Sequence, residues 1–106
     1  MGAQLDRDLQ EGRLTLFGRF HAREGLEAEV AAALAQVVPP TRAEPGCLGI
    51  AAYRANADGR LFFLCSHWTD EAAFDTHAAL PHTLAFLQRV QPLIDHPLDV
   101  NRTRRL

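Results

Sequence analysis

Ser66-His67-Trp68-Thr69-Asp70-Glu71-Ala72-Ala73-Phe74-Asp75-Thr76-His77-Ala78-Ala79-Leu80-Pro81-His82 is the stretch whose reading decides the fold. It joins an apolar run, Leu61 to Cys65, to a segment with helical spacing, and it holds the single Trp and three of the five His. Alternation along the run places Phe62, Leu64, Ser66 and Trp68 on one strand face. Thr69 or Asp70 offers a helix N-cap, and Asp70 and Glu71 suit the positive end of the helix dipole. Phe74, His77 and Ala78 recur at i, i+3 and i+4, so His77 shares the apolar helix face with Phe74. That face must turn toward the sheet, and the indole of Trp68 and the imidazole of His77 are then expected to border one space. Either residue alone reads equally well as core filling. The pairing is what points to a site.

Upstream, Leu14 to Ala22 alternates as a strand, with Leu14, Leu16, Gly18, Phe20 and Ala22 on a core-like side. Phe17 lies on the other side among polar groups, and His21 reads as a surface or interface residue. Gly25 breaks the strand. Leu26, Val30, Leu34 and Val37 then form the stripe of an amphipathic helix that Pro39-Pro40 is expected to stop, because proline lacks the N–H donor. Thr41 to Glu44 adds at most one turn. Cys47 to Ala55 reads as a second strand, Asn56-Ala57-Asp58-Gly59 as a hairpin turn, and Leu61 to Trp68 as its antiparallel partner.

Downstream, a helix over 70–79 is broken by Pro81 and resumes from Thr83 to Val90, with Leu84, Leu87 and Val90 on one side. Leu98 to Arg104 alternates weakly and reads as a last strand, while Arg102, Arg104 and Arg105 read as a solvated tail. The order β-α-β-β-α-β predicts an α+β fold of the ferredoxin-like type: a four-stranded antiparallel sheet with helices on one face. The opposite face carries Phe17, Tyr53, Phe63 and Cys65, which suits burial in a homodimer.

Bulk composition excludes several function classes. The chain has 106 residues and suits one domain, 13–106, preceded by a polar extension over 1–12 without helical or strand period. A formal net charge of -2 gives no drive toward nucleic acid or an anionic membrane. No apolar run is long enough to cross a bilayer and Met1 to Gly12 lacks a signal-peptide core, so a cytoplasmic protein is expected. Cys47 and Cys65 sit in apolar runs as buried thiols. There is no CxxC, HExxH, P-loop or G-x-G-x-x-G, so neither a metal ion nor a nucleotide is expected.

The chain resembles the antibiotic biosynthesis monooxygenase superfamily of dimeric α+β barrels. The resemblance rests on Glu44-Pro45-Gly46-Cys47-Leu48-Gly49, on Phe62 through His77, and on Pro81-His82 and Phe86. It implies a homodimer whose sheets pack together, and a pocket between sheet and helices in each subunit. It also implies oxidation of quinols or polycyclic phenols by dioxygen, usually without metal or flavin. Trp68 matches the family's Trp, His77 its helix histidine and His82 its second His. Many members carry Glu two residues before the Trp, where this chain has Ser66, so a pocket carboxylate is missing from that position. Gly18 stands near where a haem-degrading branch has Asn, and the Trp-to-His spacing is shorter here, which disfavours haem degradation.

These residues suit one chemistry. Triplet dioxygen attacks closed-shell molecules slowly, so a protein without a redox group must prepare a substrate that readily gives up an electron, such as a phenolate. His77 is the natural base, since imidazole titrates near neutral pH. Trp68, Phe62, Phe74 and Phe86, with Leu64 on the Trp face and His82 beside them, offer an aromatic slot for a small phenolic substrate. Ser66 offers a hydrogen bond to a developing oxyanion. Two other readings stay open: a non-catalytic ligand-binding or structural dimer, and an isomerase of a small carbonyl compound, which would need a cation that the assignable pocket positions lack.

Overall fold

The computed structural model describes residues 13–106, and the expected extension over 1–12 lies outside the described residues. The elements are β1 (Leu14–His21), α1 (Glu27–Arg42), β2 (Cys47–Arg54), β3 (Leu61–Trp68), α2 (Glu71–Ala78), α3 (Pro81–Val90), a 3-10 turn (Gln91–Leu93) and β4 (Asp99–Thr103). The strands form one antiparallel sheet in the order β2-β3-β1-β4. This is the ferredoxin-like arrangement expected from the element order. The register pairs Leu14 with Trp68 and His21 with Leu61 across β1 and β3. A bulge between Cys47 and Gly49 shifts the start of β2.

The helices cover one face and divide the core. Val30, Ala33, Leu34 and Val37 of α1 and Phe86 and Val90 of α3 pack on Phe20 and Phe62 at one end. Leu14, Leu16 and Trp68 form a smaller cluster at the other end, closed by Cys47 and by Ala73 and Phe74 of α2. The uncovered face exposes Phe17, Leu48, Tyr53 and Phe63, with Tyr53 at 57%.

Three details depart from expectation. The helix α1 runs through Pro39 and Pro40 to Arg42. Two prolines remove N–H donors, but their φ is helical, and Val37 and Thr41 bury on the same face one turn apart. The amide of Ala43 still donates to Pro39 O at 3.3 Å, so the last turn closes after the prolines. The buried face of α3 is Thr83, Phe86 and Val90, while Leu84 is 53% exposed. Phe86 sets this rotation by meeting Phe20 edge-on at 5.7 Å. Arg102, within the expected last strand, folds its side chain over the Phe74 ring at 4.8 Å rather than trailing in solvent.

His21, read from the sequence as a surface or interface residue, has several partners, and His96 is among them. His21 Nδ1 lies 2.6 Å from Asp95 Oδ2 and its Nε2 lies 3.2 Å from Asp58 Oδ2, so the ring ties the β2–β3 turn to the connector before β4. The backbone amide of His21 donates to His96 Nε2 at 2.8 Å, which leaves His96 Nδ1 to donate to Pro97 O at 2.7 Å. The bond from His21 holds the Asp95 carboxyl below the usual range, and the Arg60 amide, aided by His21, does the same for Asp58. An acid with a lowered pKa stabilises the fold above its unfolded pKa, near 3.9, and that stability is lost as pH falls through the lowered value. Thermal melts between about pH 3 and pH 7 should therefore show Asp95→Asn less stable than wild type at the neutral end, with the gap closing in acid. A gap independent of pH contradicts this.

Candidate active site

The site is built where β3 hands over to α2. Asp70 caps α2 by accepting from the Ala73 amide at 2.8 Å, so the helix begins directly after the strand and folds back over it. That return sets the His77 ring 4.7 Å from the Trp68 ring at 37°, with Phe74 5.6 Å from Trp68 and 5.3 Å from His77. Trp68 is fully buried, and its indole N–H donates to Ser66 Oγ at 2.9 Å. A buried indole N–H without a partner would be costly, so Ser66 both satisfies and orients the ring.

A carboxylate completes the group. Glu44 opens a turn in which the Cys47 amide donates to Glu44 O at 3.0 Å, and the Thr69 amide donates to Gly46 O at 3.0 Å. Gly46 is required here by space: a Cβ on it would stand 2.4 Å from the Cβ of Ala73. This close approach presses the turn against α2 and delivers Glu44 Oε2 to 2.7 Å from His77 Nδ1. The same oxygen lies 2.7 Å from His82 Nε2. His82 is presented by α3, whose first residue is Pro81, a position where a missing N–H costs nothing. Thr83 Oγ1 stands 3.2 Å from His77 Nδ1. The Glu44 side chain is only 9% exposed, that of His77 11% and that of His82 28%.

The geometry fixes the hydrogens. A carboxylate only accepts, so each imidazole must carry its hydrogen on the nitrogen that faces Glu44. For His77 this places N–H at Nδ1, and in the neutral ring the lone pair then lies on Nε2. A carboxylate behind an imidazole also stabilises the imidazolium formed when Nε2 takes a proton.

Of the residues singled out in the sequence, Ser66, Trp68, Phe74, His77 and His82 come together. Phe62 and Phe86 do not: they lie in the larger cluster with Phe20, and Leu64 packs against that cluster. Alternation assigns a face but no place along it, and six residues of strand separate Phe62 from Trp68 by about 20 Å. Glu44 is the member of this cluster that the sequence reading left unassigned. It supplies a carboxylate from another element where Ser66 leaves none. Its sequence signal was its place before Pro45-Gly46, a turn with no room for a side chain at Gly46.

Arg102 is a cation beside this cluster, but its guanidinium bonds Asp75 at 2.8 Å and reaches Glu71 at 3.9 Å, so its charge is engaged. A hollow of about 460 Å³ opens on the opposite sheet face, among Phe17, Leu48, His67, Arg13, Arg104 and Arg105, and none of the predicted site residues lines it. Burial pushes both Cys47 and Cys65 thiols up, which keeps them protonated and poorly nucleophilic.

Residues 13–89 match the family described as antibiotic biosynthesis monooxygenase. The chain belongs to that family. Within it, the chain is 31% identical over 87 residues to the Mycobacterium tuberculosis protein named "Putative monooxygenase Rv0793", covering 82% of this chain and 85% of that one. The solved structure of Rv0793 superposes with a TM-score of 0.84 at 28% identity, over 89% of this chain and 95% of that one. PA3566 from Pseudomonas aeruginosa superposes with a TM-score of 0.83 at 29% identity, over 92% and 97% of the two chains. These likenesses support a monooxygenase at the level of the family. No described helix is long and apolar enough to cross a membrane.

Proposed function

We propose that this family member is a monooxygenase of small, electron-rich phenolic or quinol-like compounds, with dioxygen as oxidant and the substrate as the sole source of electrons. The observation that carries the reading is the bond that His77 Nδ1 makes to Glu44 Oε2 at 2.7 Å, with the Trp68 ring tilted 4.7 Å from the same imidazole. His77 Nε2 takes the phenolic proton, and Glu44 steadies the resulting imidazolium. The anion passes one electron to dioxygen, and the two radicals combine into a substrate peroxide. For an activated ring methylene, loss of water from that peroxide leaves a carbonyl. The balance is CH2 plus O2 to C=O plus H2O, with His77 returning the proton that leaves as water. Phe74 gives the ring an apolar wall, with Trp68 buried behind it.

The reading is tested by oxygen uptake with a panel of anthrones and hydroquinones, using labelled dioxygen. One labelled oxygen atom in the product supports it. No uptake above the uncatalysed rate across the panel overturns it and favours a binding module. A second copy is expected on the uncovered sheet face, where Phe17, Leu48, Tyr53 and Phe63 are exposed. Light scattering should then give twice the chain mass, and Tyr53→Asp should shift it toward the monomer. A monomeric wild type contradicts this.

A further inference from the structure

We infer that Glu44, His77 and His82 form a binding site for one divalent transition-metal ion of the zinc class. The donor atoms are Glu44 Oε2, His77 Nδ1 and His82 Nε2, and all lie within 4.8 Å of one another. They come from three separate elements, which is why no metal motif stands in the sequence. Two imidazoles and one carboxylate suit zinc, cobalt, nickel or ferrous iron better than magnesium or calcium, which want more oxygen. A four-coordinate ion with bonds near 2.0–2.2 Å spreads its donors to about 3.4 Å. The two N···O distances are 2.7 Å, so entry of an ion needs a modest opening. His82, the most exposed of the three, is the member free to move. Thr83 Oγ1, 3.2 Å from His77 Nδ1, offers an oxygen beside the coordination sphere.

The charge balance points the same way. Glu44 is nearly buried, and its ion-pair partners among the described residues are the two imidazoles alone. A bound cation would bring a full positive charge to that nearly buried carboxylate. Binding also has a chemical consequence, which rests on the proposed function. An ion on His77 Nδ1 needs that lone pair, so the ring hydrogen moves to Nε2 and the base is lost. Metal loading therefore blocks oxidation.

The test uses the full chain, freed of metal by a chelator and dialysed. Zinc chloride is titrated calorimetrically, and cobalt chloride is followed by its visible absorption. The expected result is one ion per chain, with affinity lowered at least about tenfold in His82→Ala and in Glu44→Gln and unchanged in His67→Ala and His21→Ala. His82→Ala keeps the test decisive if Glu44→Gln fails to fold. No binding by wild type, or equal binding by wild type and His82→Ala, overturns the site. These readouts are independent of turnover, so a protein that binds zinc but oxidises nothing keeps the metal site and loses only the oxygenase reading.

Discussion

Oxygen uptake with an anthrone or hydroquinone substrate is expected to fall about 100-fold or more in His77→Ala, and by a similar order in Glu44→Gln. A positioned general base supplies roughly 10²–10⁴ in rate, and removal of the imidazole forfeits it. Glu44→Gln leaves the ring in place but changes what stands behind it. An amide can offer His77 Nδ1 an N–H, which favours the tautomer with hydrogen on Nε2, where the base must be bare. It also removes the negative charge that steadies the imidazolium. His82→Ala keeps the Glu44–His77 bond and should cost far less. Thermal melts on each variant separate loss of chemistry from loss of fold. If His77→Ala retains wild-type rates while folded, the base lies elsewhere.

Gly46→Ala is expected to destabilise the fold by about 1–3 kcal/mol, an effect out of proportion to one methyl group. The added Cβ would meet the Ala73 Cβ at 2.4 Å, well inside contact distance, so the turn or α2 must move. That movement also shifts Glu44, so oxygen uptake should fall with stability. The paired change Ala73→Gly removes the obstacle, at about 1 kcal/mol for glycine within a helix. Denaturant unfolding of the four proteins in this cycle should therefore show a combined cost well below the sum of the single costs. Strict additivity would mean that the two positions do not collide.

Much of this arrangement is legible in the sequence because it is set by local rules. The N-cap at Asp70, the alternation that buries Trp68, and the spacing that turns His77 inward all act within a dozen residues. What sequence reading loses is distance. Phe62 shares the covered face with Trp68, yet it packs with Phe86 of α3 at the other end of β3, because alternation says nothing about position along a strand. Glu44 reaches His77 across 33 residues of chain. Only the tertiary contact at Gly46 brings it there. The prolines at 39 and 40 carry a strong local stop signal, but the apolar face through Val37 and Thr41 outweighs it for one more turn. Arg102 falls within the last strand as the weak alternation suggests, but its side chain reads as solvated because its docking depends on Phe74 and Asp75 of α2.

The proposed reaction turns on a single hydrogen: Glu44 holds it on Nδ1 of His77 and so frees Nε2 to act as a base. Long-range proton–nitrogen correlation spectra of the uniformly labelled, metal-free protein near neutral pH report it directly, with His77→Ala assigning the signals. The expected result is a protonated Nδ1 and a bare Nε2, lost or inverted in Glu44→Gln. A His77 ring with its hydrogen on Nε2 in the wild type would contradict it.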